Sequence, residues 1–219
     1  DFTTSDPNPI VLTRKYASFR YFMQNYDNKV PFDTKWRSNF DGSVFANGGV
    51  LFFNLPSGDE RAFVASGGSY VLASFDPATN TYSAGANLAT ESLVLNASNQ
   101  FELTAADGAV HVYENVTSGW GKMLSIRQPG GLTQTLSYET AEAATLANKP
   151  ATQDKLIGVS DNYGRTLTFT YGAHAHVESV SFNGTVVASY TYEPRSRDYL
   201  MANGDAGAAA MSTSALYER

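Results

Sequence analysis

Histidines are the first residues to consider for metal chemistry, because the chain has three of them and no cysteine. His174 and His176 flank Ala175, so on a strand both imidazoles would point to the same face, a spacing that zinc can use. The stretch from Gly172 to Ala175 is typical of a loop tip, however, and no third ligand lies near it in sequence. His111 is remote along the chain. We therefore predict no metal site and no cofactor.

Carboxylates offer the second route to chemistry, since two acids across a cleft suffice for glycoside hydrolysis. Asp107 and Asp161 could form such a pair, but each opens a turn shortly before a glycine, where aspartate accepts hydrogen bonds from its own backbone. Residues 76–80 are interpreted as a turn in the same way. The glycine pairs 48–49 and 67–68 lack the flanking residues of a phosphate-binding loop, and no serine lies in a Gly-x-Ser-x-Gly motif. The sequence thus predicts that the chain has no catalytic site and is not an enzyme.

Composition limits the partners further. Apolar residues make up 42% of the chain and aromatic residues 13%, enough for a substantial core. The formal net charge is −6, so no basic surface is expected for nucleic acid. No apolar run reaches the length of a spanning helix, and we predict no membrane span.

Period-two alternation of apolar and polar residues is the dominant pattern, and it is clearest in residues 165–171. There Leu167, Phe169 and Tyr171 alternate with threonines, which is typical of a half-buried strand. Turn formers ending in glycine separate such runs, because glycine adopts the positive φ of a tight turn without strain. The chain is therefore predicted to be all-β and built from repeated antiparallel hairpins. The five turn glycines are Gly58, Gly108, Gly131, Gly164 and Gly184.

These hairpins resemble one another, since each returns to a strand that closes on an aromatic residue, at Phe63, Tyr113, Tyr138, Tyr171 and Tyr192. The pattern divides the chain into segments of different character. They are an aromatic-rich N-terminal capping segment at 1–49, a hairpin region at 50–138, an insertion or loop that could form a short helix at 139–154, a second repeat region at 155–201 and a loosely ordered tail at 202–219.

The run from Asp161 to Tyr171, continued by residues 177–180 and 184–192, resembles the tyrosine-aspartate (YD) repeats of bacterial Rhs proteins. Residues 8–18 and 36–40 are similar to the segment that opens the repeat shell in many of these proteins. The two matches occur in the family's order and cover most of residues 6–192. Residues 155–201 are accordingly assigned as YD-type repeats. The structural repeat motif comprises Gly58, Gly108, Gly131, Asp161, Gly164, Arg165, Tyr171, Gly184 and Tyr192.

The resemblance implies an all-β ribbon of hairpins that spirals into a hollow shell and encloses a toxic C-terminal domain until delivery. This chain would be a structural segment of the shell, not catalytic itself. Its implied partners are the remainder of the shell or further copies of itself, a C-terminal toxin domain and secretion-system components. The implied location is secreted or delivered outside the bacterial cell.

Two alternatives remain open at this stage. The first is a carbohydrate-binding β module on a cell surface, because exposed aromatic faces stack on sugars. Its glycan platform would be Tyr113, Tyr138, Tyr171 and Tyr192. The opposing interpretation is that these tyrosines tile the interior of the shell, each stacked on its repeat neighbour. The second alternative is a β-fold enzyme that acts on glycans.

Overall fold

A computed structural model describes residues 2–5, 9–16, 36–85, 90–139, 155–172, 177–195 and 215–218. All the regular elements in these ranges are β-strands, and every pairing between them is antiparallel, which confirms the all-β hairpin prediction. The described residues include no helix, and so none of a length and apolarity that would cross a membrane. The insertion at 139–154, for which a short helix was predicted, lies outside the described residues from residue 140 onward. Four short strands come first and form two separate two-stranded sheets: β1 (Phe2–Thr3) with β2 (Val11–Leu12), and β3 (Arg14–Tyr16) with β4 (Trp36–Ser38).

An eight-stranded barrel follows, closed because its first and last strands pair with each other. A further strand, β9 (Thr81–Ala84), pairs only with the outer part of β8 and forms a hairpin that projects from the barrel. In their order around the barrel the eight strands are β5 (Ser43–Asn47), β13 (Gly119–Arg127), β12 (Val110–Tyr113), β11 (Phe101–Thr104), β10 (Ser92–Leu95), β8 (Ser69–Asp76), β7 (Glu60–Ser66) and β6 (Val50–Asn54).

Strand β13 closes the barrel and also begins the rest of the sheet. One of its edges pairs with β12, while the other edge is shared between two strands. Residues 119–122 pair with β5, and residues 125–127 pair with the next strand in sequence. A strand of nine residues is long enough to serve both neighbours. Five strands then continue the sheet as a meander: β14 (Thr133–Tyr138), β15 (Leu156–Asp161), β16 (Thr166–Tyr171), β17 (Val177–Phe182) and β18 (Thr185–Ser189). The last described pair is β19 (Tyr192–Arg195) with β20 (Ala215–Glu218).

One hydrophobic core runs through the barrel and under the meander. Inside the barrel, the Phe53 ring makes edge-to-face contacts with Phe63, Phe101 and Tyr113, at centroid distances of 5.7, 5.8 and 5.0 Å. Edge-to-face packing is favourable for buried rings, so Phe53 is the centre of the barrel interior. The same core continues to the apolar faces of β14–β17.

The N-terminal strands cover the far end of the meander. Ile10 and Leu12 are fully buried in the common core, and the Phe2 ring lies 5.4 Å from that of Phe182 at the end of β17. The segment 1–49, predicted to be a capping segment over the first strands, has described parts in two places. Phe2 contacts Phe182 in the last hairpin of the meander, while residues 43–47 form the barrel strand β5, which pairs with β6 and β13. The contact of Phe2 with Phe182 joins residues that are far apart in the sequence, and no local pattern reveals it.

Candidate functional site

The predicted turn glycines share one geometry. In the turns at Gly58, Gly108, Gly131 and Gly164, the first residue donates its N–H to the carbonyl of the fifth, and the glycine donates to the carbonyl of the first. The glycines have φ values between 77° and 91°, and a side chain added at Gly164 would meet no atom within 4 Å. Gly184 differs, because it lies in a two-residue turn. All five predicted hairpins are present, and the positive φ at each of these positions favours glycine.

The aspartates predicted to cap turns do so. Asp161 accepts hydrogen bonds from the N–H groups of Tyr163 and Arg165 at 3.0 Å, and from the Arg165 guanidinium at 2.7 Å. Burial alone would raise the pKa of Asp161, but the hydrogen bonds from Arg165 and Tyr163 outweigh it and lower that pKa. Asp107 accepts a hydrogen bond from the N–H of Ala109, and Asp76 accepts one from the N–H of Ala78. These carboxylates therefore stabilise turns.

The closing tyrosines form a ladder, and we use the name tyrosine ladder for the three paired positions Tyr113–Met123, Tyr138–Leu156 and Tyr171–Val177. In each pair the tyrosine is the last residue of its strand and lies opposite a buried apolar residue of the next strand. Beside each pair the partner strand contains one extra residue, at position 124, 157 or 178. The same bulge therefore recurs in the same place at all three pairs.

Hydroxyl groups connect successive rungs of the ladder. The Tyr138 hydroxyl donates to the carbonyl oxygen of Met123 at 2.6 Å, and the Tyr171 hydroxyl donates to that of Leu156 at the same distance. Both bonds span 15 residues. The Tyr113 hydroxyl instead donates to Asn54 in the barrel wall, at 3.3 Å. The hairpins β13–β14 and β15–β16 thus each use the closing tyrosine to hold the strand that opened them.

A lysine packs on each ladder tyrosine of the meander. The Lys122 ammonium lies 5.3 Å from the centroid of the Tyr138 ring, and the Lys155 ammonium lies 4.7 Å from that of Tyr171. Both are within the range of a cation–π interaction. Lys155 is buried, whereas Lys122 also approaches Glu114 at 3.5 Å. The lysine, the carbonyl and the tyrosine therefore recur as one unit 33 residues apart.

The predicted glycan platform does not form a free aromatic surface at the positions that the structure describes. Tyr113 is fully buried, and burial raises its pKa. Tyr138 and Tyr171 are half-buried, with their hydroxyls bonded to backbone and a cation over each ring. The side chain of Tyr192 lies outside the described residues. The tyrosines are joined through backbone hydrogen bonds, so the expected stacking of one ring on the next is not found among the described pairs.

The histidines give no metal centre within the described ranges. His111 lies on β12 with its side chain buried, opposite Leu103 and Ile126. Burial lowers its pKa, with a smaller opposing effect from Asp107. No group of three potential metal ligands occurs among the described residues. His174 and His176 lie outside them.

An aromatic cleft on the outer wall of the barrel was not expected from the sequence. Five rings form a continuous row across it, which we call the aromatic row. Neighbouring centroids are 4.5, 6.4, 5.2 and 5.0 Å apart. In order the rings are Trp120, Phe45, Phe52, Tyr82 and Phe75.

The floor and the wall of the cleft come from different elements. Phe45, Phe52 and Trp120 project outward from β5, β6 and β13, while their sequence neighbours on β5 and β6 are buried in the core. Phe75 and Tyr82 stand on the projecting β8–β9 hairpin, and Tyr82 meets Phe52 edge to face at 84°. The space between them is about 700 Å³.

Polar side chains lie along the rim of the cleft. Asn47, Asn80 and Thr81 line it together with the carboxylate of Glu60, and Asn54 lines it from a buried position. A concave site of this volume, lined by aromatic rings and by polar residues in equal number, has the make-up of a small-molecule site. It could bind a ligand through ring faces and hydrogen bonds.

The sequence contained one usable signal for the cleft. Residues 50–53 are apolar without interruption, so both faces of β6 carry large apolar side chains and the outward face requires a cover or a ligand. The remaining members could not be assigned, because Phe45, Tyr82 and Trp120 are far apart in the chain. A scan against protein-family models and a search of curated proteins found no match to this chain.

Proposed function

We propose that this chain is a non-catalytic structural segment of an Rhs/YD-type shell, the part from which the hairpin sheet starts. The observation that carries the proposal is the tyrosine ladder, because it repeats one register and one bulge three times. In the two rungs of the meander, Tyr138 and Tyr171 also repeat one hydroxyl bond. A rung built on the backbone of the preceding strand can be added again without a new kind of contact. The full shell would enclose a C-terminal toxin and be delivered outside the bacterial cell.

The barrel supports a starting role, since each of its strands pairs on both sides. Growth of the sheet by strand addition would therefore occur at the meander. Strand β18 pairs with β17 on one side, and the described residues provide no strand for its other side. Its sequence has no charge and no proline, and Val186 is 58% exposed. Edge strands that must remain unpaired usually carry a charge or a proline that blocks pairing. Strand β18 has neither, so it is suited to receive a further strand.

The test is hydrogen exchange on β18, measured with this chain alone and with the polypeptide encoded after it in the same reading frame. We expect the backbone amides of β18 that point away from β17 to exchange rapidly in the chain alone and slowly when further hairpins follow. Exchange at β6, inside the barrel, should be slow in both samples and serves as the control. Unchanged exchange at β18, or a following sequence without hairpins, would reject the proposal.

A second candidate, carbohydrate binding, is favoured by one observation. It is the aromatic row on the barrel wall, where Phe75 is 47% and Tyr82 is 38% exposed. The row is independent of the tyrosines from which we first predicted a glycan platform. The two candidates are compatible, because the cleft lies on the barrel and the growing edge lies on β18.

A further inference from the structure

We propose that the aromatic cleft binds a neutral oligosaccharide. This inference rests on the second candidate function, carbohydrate binding, and names its ligand class; it is independent of the shell role, since it concerns the outer wall of the barrel and would hold for a single copy of the chain. It assigns a ligand class to a site that the tyrosine ladder does not include.

The arrangement of the rings favours an extended ligand. Trp120 and Phe45 are tilted by only 32° to each other, and the row continues from Phe45 through Phe52 to the projecting hairpin. A single cation is bound best by rings that surround one point. Here the five rings follow one another in a line, which suits a chain of sugar rings that present apolar C–H faces.

The polar rim supplies the complementary hydrogen bonds. Amides of Asn47 and Asn80 each offer a donor and an acceptor, and the Thr81 hydroxyl offers both. Sugar hydroxyls need this mixture, because each of them also donates and accepts. An apolar ligand would leave these groups without partners, at a cost in free energy.

Charge decides between neutral and anionic ligands. Among the described residues that line the cleft, Glu60 is the one that carries a charge, and none of them is a lysine or an arginine. A phosphate, an acidic glycan or a nucleic acid would meet a carboxylate and no compensating cation. The Glu60 carboxylate can instead accept bonds from two hydroxyls of a neutral sugar.

The projecting hairpin allows a clean test. Calorimetric titration of the intact chain with neutral oligosaccharides of glucose and of N-acetylglucosamine should show saturable binding to at least one series. Removing a ring of the wall by Tyr82→Ala or Phe75→Ala should weaken that binding about tenfold or more. Both residues lie on the outer hairpin, so thermal melting of each variant checks that the barrel is intact. Tyr163→Ala removes an exposed ring from a turn outside the cleft and should leave the affinity unchanged.

Three results would overturn the inference: no binding of either series, binding that survives the loss of both Tyr82 and Phe75, or binding of tetramethylammonium in preference to sugars. Val186→Lys distinguishes this inference from the shell proposal. Its side chain lies outside the cleft, so a variant changed only in assembly should keep its sugar affinity.

Discussion

The hydroxyl of Tyr171 donates a 2.6 Å hydrogen bond to the carbonyl oxygen of Leu156, and thereby closes a hairpin on the strand that opened it. Tyr138 makes the equivalent bond to Met123, also at 2.6 Å. A hydroxyl at this distance binds its acceptor well, and the half-buried position limits competition by water. The bond thus fixes where each hairpin ends.

Removing this hydroxyl should destabilise the meander by a modest amount. For Tyr171→Phe we expect a loss of about 1 kcal/mol in the free energy of unfolding, because the Leu156 carbonyl loses its side-chain partner while the ring remains. Tyr138→Phe should cost a similar amount, since the same bond is lost. Denaturant unfolding followed by circular dichroism measures both values. Tyr82→Phe removes a hydroxyl for which the described residues show no bond, and it is the matched control; an equal loss there would contradict the assignment.

Backbone conformation at Gly164 leads to a second prediction. Its φ of 77° is disfavoured for side chains branched at Cβ, so Gly164→Val should destabilise the chain by about 1 to 2 kcal/mol. Gly164→Asn should cost much less, because Asn99 occupies the corresponding position of another turn with φ of 59°. Differential scanning calorimetry of the two variants compares them directly. Equal melting temperatures for Val and Asn would show that strain at this position is unimportant.

Asn99 also shows how far turns can be predicted from sequence. The turn from Asn96 to Gln100 has the same two backbone bonds as the glycine turns, but no glycine marks it. Two further hairpins turn at Gly48-Gly49 and Gly67-Gly68, where both residues of each pair have positive φ. From the sequence alone, we weigh these glycine pairs as phosphate-binding loops and do not predict hairpins there. Turn residues in the sequence therefore predict that the elements are β-hairpins, but they identify fewer hairpins than the structure contains.

Closure of the barrel could not be predicted in the same way. It requires residues 119–122 of β13 to pair with β5, which lies more than 70 residues earlier in the chain. Alternating residues identify a strand and its buried face, but they do not identify a partner so far away. The ladder tyrosines were correctly placed at strand ends, whereas alternation alone predicts neither the bulges beside them nor their hydroxyl bonds.

Burial of His111 predicts a dependence of stability on pH. Burial lowers the pKa of this histidine in the folded chain, so the folded state stays neutral while the unfolded state takes up a proton below about pH 6.5. The contribution of His111 to the free energy of unfolding is therefore fully present above that pH. It decreases as the pH falls toward the lower pKa of the folded state. Thermal melting across this range should show a decline that is reduced in His111→Leu. The same decline in that variant and in the parent would assign the effect to other groups; His174→Gln is the control.

The shell account depends most directly on the edge of β18. Sedimentation equilibrium over a wide range of concentrations should show that the chain self-associates, because an uncharged edge with Val186 exposed recruits another strand. Val186→Lys should abolish or strongly weaken the association. Val94→Lys places the same charge at a residue that is 52% exposed on the barrel strand β10, which pairs on both sides, and should leave it unchanged. A chain that stays monomeric at every concentration, or equal effects of the two lysine variants, would contradict the account.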